Sequence, residues 1–122
     1  PGHPNIASFL NNLAGLHRSK GEYDRALPLY EKALAIYRAA LPPGHPDIAT
    51  SLHDLARLHK SKGEYDQALP LLEEALAVNR AALPPGHPEI ASCLNNLATL
   101  HHHQGEYDRA QPLLEEALAM YR

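Results

Sequence analysis

Pro1-Gly2-His3-Pro4 returns as Pro43-Gly44-His45-Pro46 and again as Pro85-Gly86-His87-Pro88, while Gly21-Glu22-Tyr23-Asp24 returns as Gly63-Glu64-Tyr65-Asp66 and Gly105-Glu106-Tyr107-Asp108. Both series step by 42 residues, and the first two units are identical at 30 of 42 positions. Repetition at such a period marks a stack of small supersecondary units, each of which buries its apolar face only against its neighbours. The 122 residues divide into units 1–42, 43–84 and 85–122, the third without the final linker.

Inside each unit the apolar positions advance by three or four residues. Ile6, Leu10, Leu13, Ala14 and then Leu16 or His17 share one helical face, a spacing that excludes strand alternation. The first helix starts at His3 or Pro4, because proline suits a first helical turn, and Asp47 and Glu89 lie at the positive end of the helix dipole in the later copies. Lys20-Gly21 and its counterparts stop it. A second helix is predicted from Glu22–Asp24 to about Ala40, with Ala26, Leu29, Tyr30, Ala33 and Leu34 in its packing stripe. The short link makes the pair an antiparallel hairpin. Pro28, Pro70 and Pro112 fall beyond the first turn of that helix, where each removes one backbone bond and is expected to bend the chain. Leu41-Pro42-Pro43-Gly44 and Leu83-Pro84-Pro85-Gly86 end one hairpin before the next.

Composition removes several function classes. Hydrophobic residues at 44% with 20% charged residues describe a folded chain. The net charge of -3 gives no general attraction to nucleic acid. No run reaches the roughly 18 apolar residues of a membrane span, and no basic segment precedes an apolar one at the start. The single Cys93 cannot form an internal disulfide, which allows a reducing compartment, and the expected location is cytoplasmic.

The pattern Leu10-x-x-Leu13-Ala14-x-x-His17-x-x-x-Gly21-x-Tyr23-x-x-Ala26-x-x-x-Tyr30-x-x-Ala33-Leu34 resembles the tetratricopeptide repeat signature. The 42-residue period, the His-Pro entrance and Leu10-Asn11-Asn12-Leu13-Ala14 are similar to the longer repeats of the kinesin light chain class. The departures are His17, His59 and His101 where tyrosine is usual, Leu72 and Leu114 in place of Tyr30, and His53-Asp54 in place of two asparagines. The resemblance implies an all-α solenoid, a right-handed superhelix whose first helices line a concave groove for a peptide or partner protein. By register with the family motif the groove positions are Ser8, Asn11, Gly15, Arg18 and Ser19, then Thr50, His53, Arg57, Lys60 and Ser61, then Ser92, Asn95, Thr99, His102 and His103.

Those five positions all vary among the three copies, whereas 10, 13, 14, 17, 26, 33 and 34 never do. Charge sorts in the same way: the first-helix segments carry five basic and three acidic residues, the remainder six basic and eleven acidic. The outer layer is therefore expected to be acidic and the groove the more positive side, favouring an acidic segment or a peptide carboxylate. Arg57 is the expected fork-shaped contact to a carboxylate, and Asn11 and Asn95 the expected clamps on a peptide backbone.

The nine histidines do not make a metal or catalytic centre on this reading. Six are locked to the repeat, at 3, 45 and 87 as cap or linker and at 17, 59 and 101 as packing residues. His101-His102-His103 points three ways around a helix. Cys93, at the position of Phe9 and Ser51, is expected to be a tolerant, partly buried site, and no P-loop, dinucleotide-binding glycine pattern or triad is present. No cofactor and no enzymatic activity are expected. The second reading is structural: the first and third units are near copies and no distinct polar cap follows Arg122, so the last helix is suited to accept the first helix of another molecule. The break before another Leu-Pro-Pro suits a section of a longer array or an engineered repeat protein alike.

Overall fold

The computed structural model describes residues 4–121. It contains six helices: α1 Pro4–Ser19, α2 Tyr23–Ala40, α3 Pro46–Ser61, α4 Tyr65–Ala82, α5 Pro88–His103 and α6 Tyr107–Ala119. The hairpins are α1 with α2, α3 with α4 and α5 with α6; α3 also packs on α2, and α5 on α4. Contacts run from neighbour to neighbour, which makes the molecule an all-α solenoid of three helix-turn-helix repeats. No described helix is long and apolar enough to cross a membrane.

The hairpin corner follows from one glycine. Gly21 has φ +79°, in the left-handed region. This lets the Glu22 N–H reach the His17 carbonyl at 2.8 Å and the Gly21 N–H reach Arg18 at 3.0 Å, the double bond of a Schellman stop. The same turn brings two side chains together: His17 Nδ1 donates to Glu22 Oε1 at 2.8 Å, His59 to Glu64 at 2.8 Å and His101 to Glu106 at 3.0 Å. The His17 and His59 bonds hold the Glu22 and Glu64 carboxyls below their usual range. These histidines were expected only to pack; each also latches its hairpin across the corner.

Helix entry is fixed by the other repeated histidine. His45 Nδ1 accepts the Asp47 backbone N–H at 3.0 Å, and His87 Nδ1 that of Glu89 at 3.1 Å, so each caps its helix. The expectation for His3 lies outside the described residues. Pro28, Pro70 and Pro112 sit inside α2, α4 and α6, and each helix runs on through its proline.

Two kinds of buried position result. Ala14, Ala56 and Ala98, like Ala26, Ala68 and Ala110, are buried in every repeat. Leu58 and Leu100 are also fully buried, yet their counterpart Leu16 is 57% exposed. The first kind packs within a hairpin; the second is covered only where a preceding hairpin exists. Cys93 belongs to the second kind and is fully buried, not partly. The Asn79 amide donates to its Sγ at 3.3 Å across α4 and α5, and burial pushes the thiol up, so it is no nucleophile.

Candidate functional site

Side chains of the first helices meet across the gaps between hairpins. His53, Arg57 and Lys60 of α3, Leu72 of α4 and Ser92 and Asn96 of α5 enclose a cleft of about 190 Å³. One repeat earlier, Asn5, Ser8 and Asn11 of α1, Tyr37 of α2 and Asp47 and Thr50 of α3 line a second, shallower cleft. The two form a band across α1, α3 and α5.

Charge is graded across this band. Asp47 and Glu89 lie in the first turns of α3 and α5, whereas Arg18 and Lys60 lie in the last turns of α1 and α3, with Arg57 one turn earlier. One rim is acidic and the other basic. Between them Asp54 is half-buried, and burial raises its carboxyl above the usual value against the pull of Arg57, His53 and Arg18. The Asn96 amide donates to His53 Nε2 and ties α5 to α3.

Of the expected groove residues, the structure brings His53, Arg57 and Lys60 into one cleft and puts Asn11 in the neighbouring one. Asn11 Oδ1 and Arg18 Nε are buried atoms with no hydrogen-bond partner among the described residues. Asn95 is not in the cleft: it is exposed on α5, and Asn96 takes the inward position. Thr99 turns its hydroxyl back to the Asn95 carbonyl at 2.8 Å, so it is already satisfied. His102 leaves the band and lies edge-on to Tyr107, 5.3 Å between ring centroids, beside α6. Asn96, which lines the cleft, and Asp54, whose charge faces Arg57, His53 and Arg18, were not among the expected groove residues. The paired change from Asn-Asn to His53-Asp54 was the signal that could have found Asp54.

Burial holds the His53 imidazole below its ordinary 6.5, with Arg57 next pushing the same way against Asp54 and Glu89. The folded state prefers neutral His53, so its stabilisation is complete above the unfolded value and is lost as pH falls through the folded one. Asp54, shifted upward, acts in the opposite sense in the lower carboxylate range. Denaturation midpoints at about pH 7.5 and about pH 5.5 should therefore fall further for the native chain than for His53→Asn. Equal falls would mean that His53 titrates as in the unfolded chain. The other histidines are common to both proteins and cancel.

Among the described residues no group of three or more His, Cys, Asp or Glu side chains is placed to hold a metal ion. A tetratricopeptide repeat model matches residues 5–81 and again residues 62–122. A search of curated proteins gives no match. Among solved structures, a Podosopora anserina protein of kinesin light chain type, with nearly identical TPR-like repeats, superposes with TM-score 0.86 at 30% identity over 97% of this chain. BtubC (BKLC) from P. vanneervenii gives TM-score 0.89 at 29% identity, also over 97%. The chain spans only 56% and 47% of these two proteins. The TPR domain of Arabidopsis FLU, at 14% identity and TM-score 0.81, shares the fold.

Proposed function

Because the chain belongs to the tetratricopeptide repeat family, a class of non-catalytic protein–protein interaction modules, we propose that it holds an extended acidic peptide segment across α1, α3 and α5. The observation that carries this reading is the basic rim of Arg18, Arg57 and Lys60 beside a cleft floored by Leu72. Carboxylates meet the guanidinium fork of Arg57, while Leu72 seats one apolar side chain. A cytoplasmic setting is part of the proposal, in keeping with the unpaired Cys93.

Peptide-library selection followed by fluorescence anisotropy tests it. Selected peptides should be acidic and should bind less tightly as salt is raised. Arg57→Ala should weaken them by about tenfold. Asp54→Asn removes the opposing charge beside Arg57 and should strengthen them, whereas Asn95→Ala should change nothing. Selection of basic or neutral peptides, or acidic binding untouched by Arg57→Ala, would overturn the proposal.

A further inference from the structure

In the cleft between α3 and α5 the repeat is broken by a titratable ring. The residues equivalent to His53 are Asn11 and Asn95, whose amides carry no charge at any pH, whereas an imidazole gains one near neutrality. The ring is half-buried in the cleft that it shares with Arg57, Lys60, Leu72, Ser92 and Asn96. These walls belong to α3, α4 and α5 and include neither end of the stack.

With the Asn96 amide donating to His53 Nε2, the neutral ring keeps its own proton on Nδ1. A second proton goes to Nε2, where it meets the Asn96 N–H donor against donor. Charged His53 therefore needs a new acceptor at that nitrogen: the Asn96 oxygen after the amide turns over, or an oxygen brought by a ligand. The charges around the ring act in both directions. Burial opposes the proton most, and Arg57 and Lys60 on the same helix add to it, while Asp54 on α3 and Glu89 on α5 favour it. From α4 the cleft receives only the apolar Leu72.

A carboxylate seated on Arg57 changes this balance. Positions 53 and 57 are one turn apart on α3, so a carboxylate held by the Arg57 fork lies within reach of both side chains. It offsets the cationic charge that opposes protonation and supplies the acceptor that a proton on Nε2 requires. We propose that His53 is a specificity-determining residue of the cleft, taking up a proton together with an acidic segment and so holding that segment more tightly in mildly acidic solution. This uptake rests on the acidic-peptide reading of the same cleft and adds to it a dependence on protons. The sign follows from linkage, because a ligand that favours charged His53 raises the pH at which the ring titrates. The gain in affinity develops as pH falls through the bound value and is complete below the free one. Above both, His53 contributes no pH dependence.

Fluorescence anisotropy at constant ionic strength, between about pH 7.5 and about pH 5.5, tests the coupling with an end-blocked glutamate-rich peptide carrying a single leucine. The peptide carboxylates stay charged over this range. The native chain should bind the peptide about tenfold more tightly at the lower pH. His53→Gln keeps an acceptor for Asn96 but cannot be charged, so its affinity, whatever the value at the higher pH, should rise much less. The other histidines and Asp54 are present in both proteins and cancel. Proton NMR of the His53 Cε1–H, assigned by its loss in His53→Gln, reads the same coupling from the other side. Its midpoint should rise when the peptide is added, by an amount that matches the affinity gain, and should stay put with a glutamine-rich counterpart. Equal pH dependence in the two proteins, or a His53 midpoint unmoved by a glutamate peptide that binds, would overturn proton uptake and leave the acidic-peptide reading standing. No binding at either pH, or binding untouched by Arg57→Ala, would overturn both.

Discussion

Leu58→Ala and Leu100→Ala are each expected to lower the unfolding free energy by about 2–5 kcal/mol, whereas Leu16→Ala, at the same repeat position, should cost less than about 1 kcal/mol. The three leucines share a helix register and a sequence neighbourhood, so helix propensity does not separate them. Burial does. Leu58 clusters with Ala26, Tyr30 and Ala33 of α2, and Leu100 with Ala68 and Leu72 of α4, each in the hairpin before its own, so truncation opens a cavity whose walls are held by two helices. Leu16 has no preceding hairpin and is already 57% exposed. Chemical denaturation measures the three costs. If the three were equal, the stability of the repeats would come from inside the hairpins and stacking would contribute little.

The recurrence at 42 residues and the three- and four-step apolar spacing were enough to read six helices and their pairing from the chain. Side-chain placement was less legible, for reasons visible at particular residues. His17 and Glu22 are five positions apart and meet only because Gly21 turns the chain back on itself, so a periodic reading saw the histidine as packing alone. Asn95 shares the register of Asn11 and His53, which line clefts toward a following hairpin; α5 has no following hairpin among the described residues, so Asn95 stands exposed, while Asn96, about 100° around the helix, faces back toward α3. His53, Arg57 and Lys60 line one cleft because their three- and four-residue spacing keeps one face whatever the exact start of α3. Cys93 looked tolerant because Phe, Ser and Cys alternate at its position, yet the three are not in one environment: Phe9 is exposed at an end, and Ser51 and Cys93 lie inside. A repeat sequence records equivalence of position, and the ends of the stack break that equivalence in space.

Ala14→Leu, Ala56→Leu and Ala98→Leu are expected to destabilise by about 1–3 kcal/mol each, with no discount for the first. All three alanines are at most 1% exposed. Ala14 clusters with Ala26 and Ala56 with Ala68, the facing alanines of the second helix in the same hairpin. A methyl on each side lets the two helices approach closely, and interaxial distance depends on the side chains at the contact. Three added carbons on one side must separate the helices or force a strained rotamer. That separation also pulls on the corner, where the His17 and Glu22 side chains are held at 2.8 Å across a left-handed glycine. Position 14 is two residues from position 16, so the first repeat separates the two sources of stability: Leu16→Ala should be cheap and Ala14→Leu costly in the same helix. Circular dichroism should show helix content retained at 4 °C in all three leucine variants, with denaturation midpoints lowered together. A mild cost for Ala14→Leu alone would mean that α1 is anchored to α2 more loosely than α3 to α4, and that the end hairpin holds its shape through stacking on the next repeat instead of through its own alanine contact.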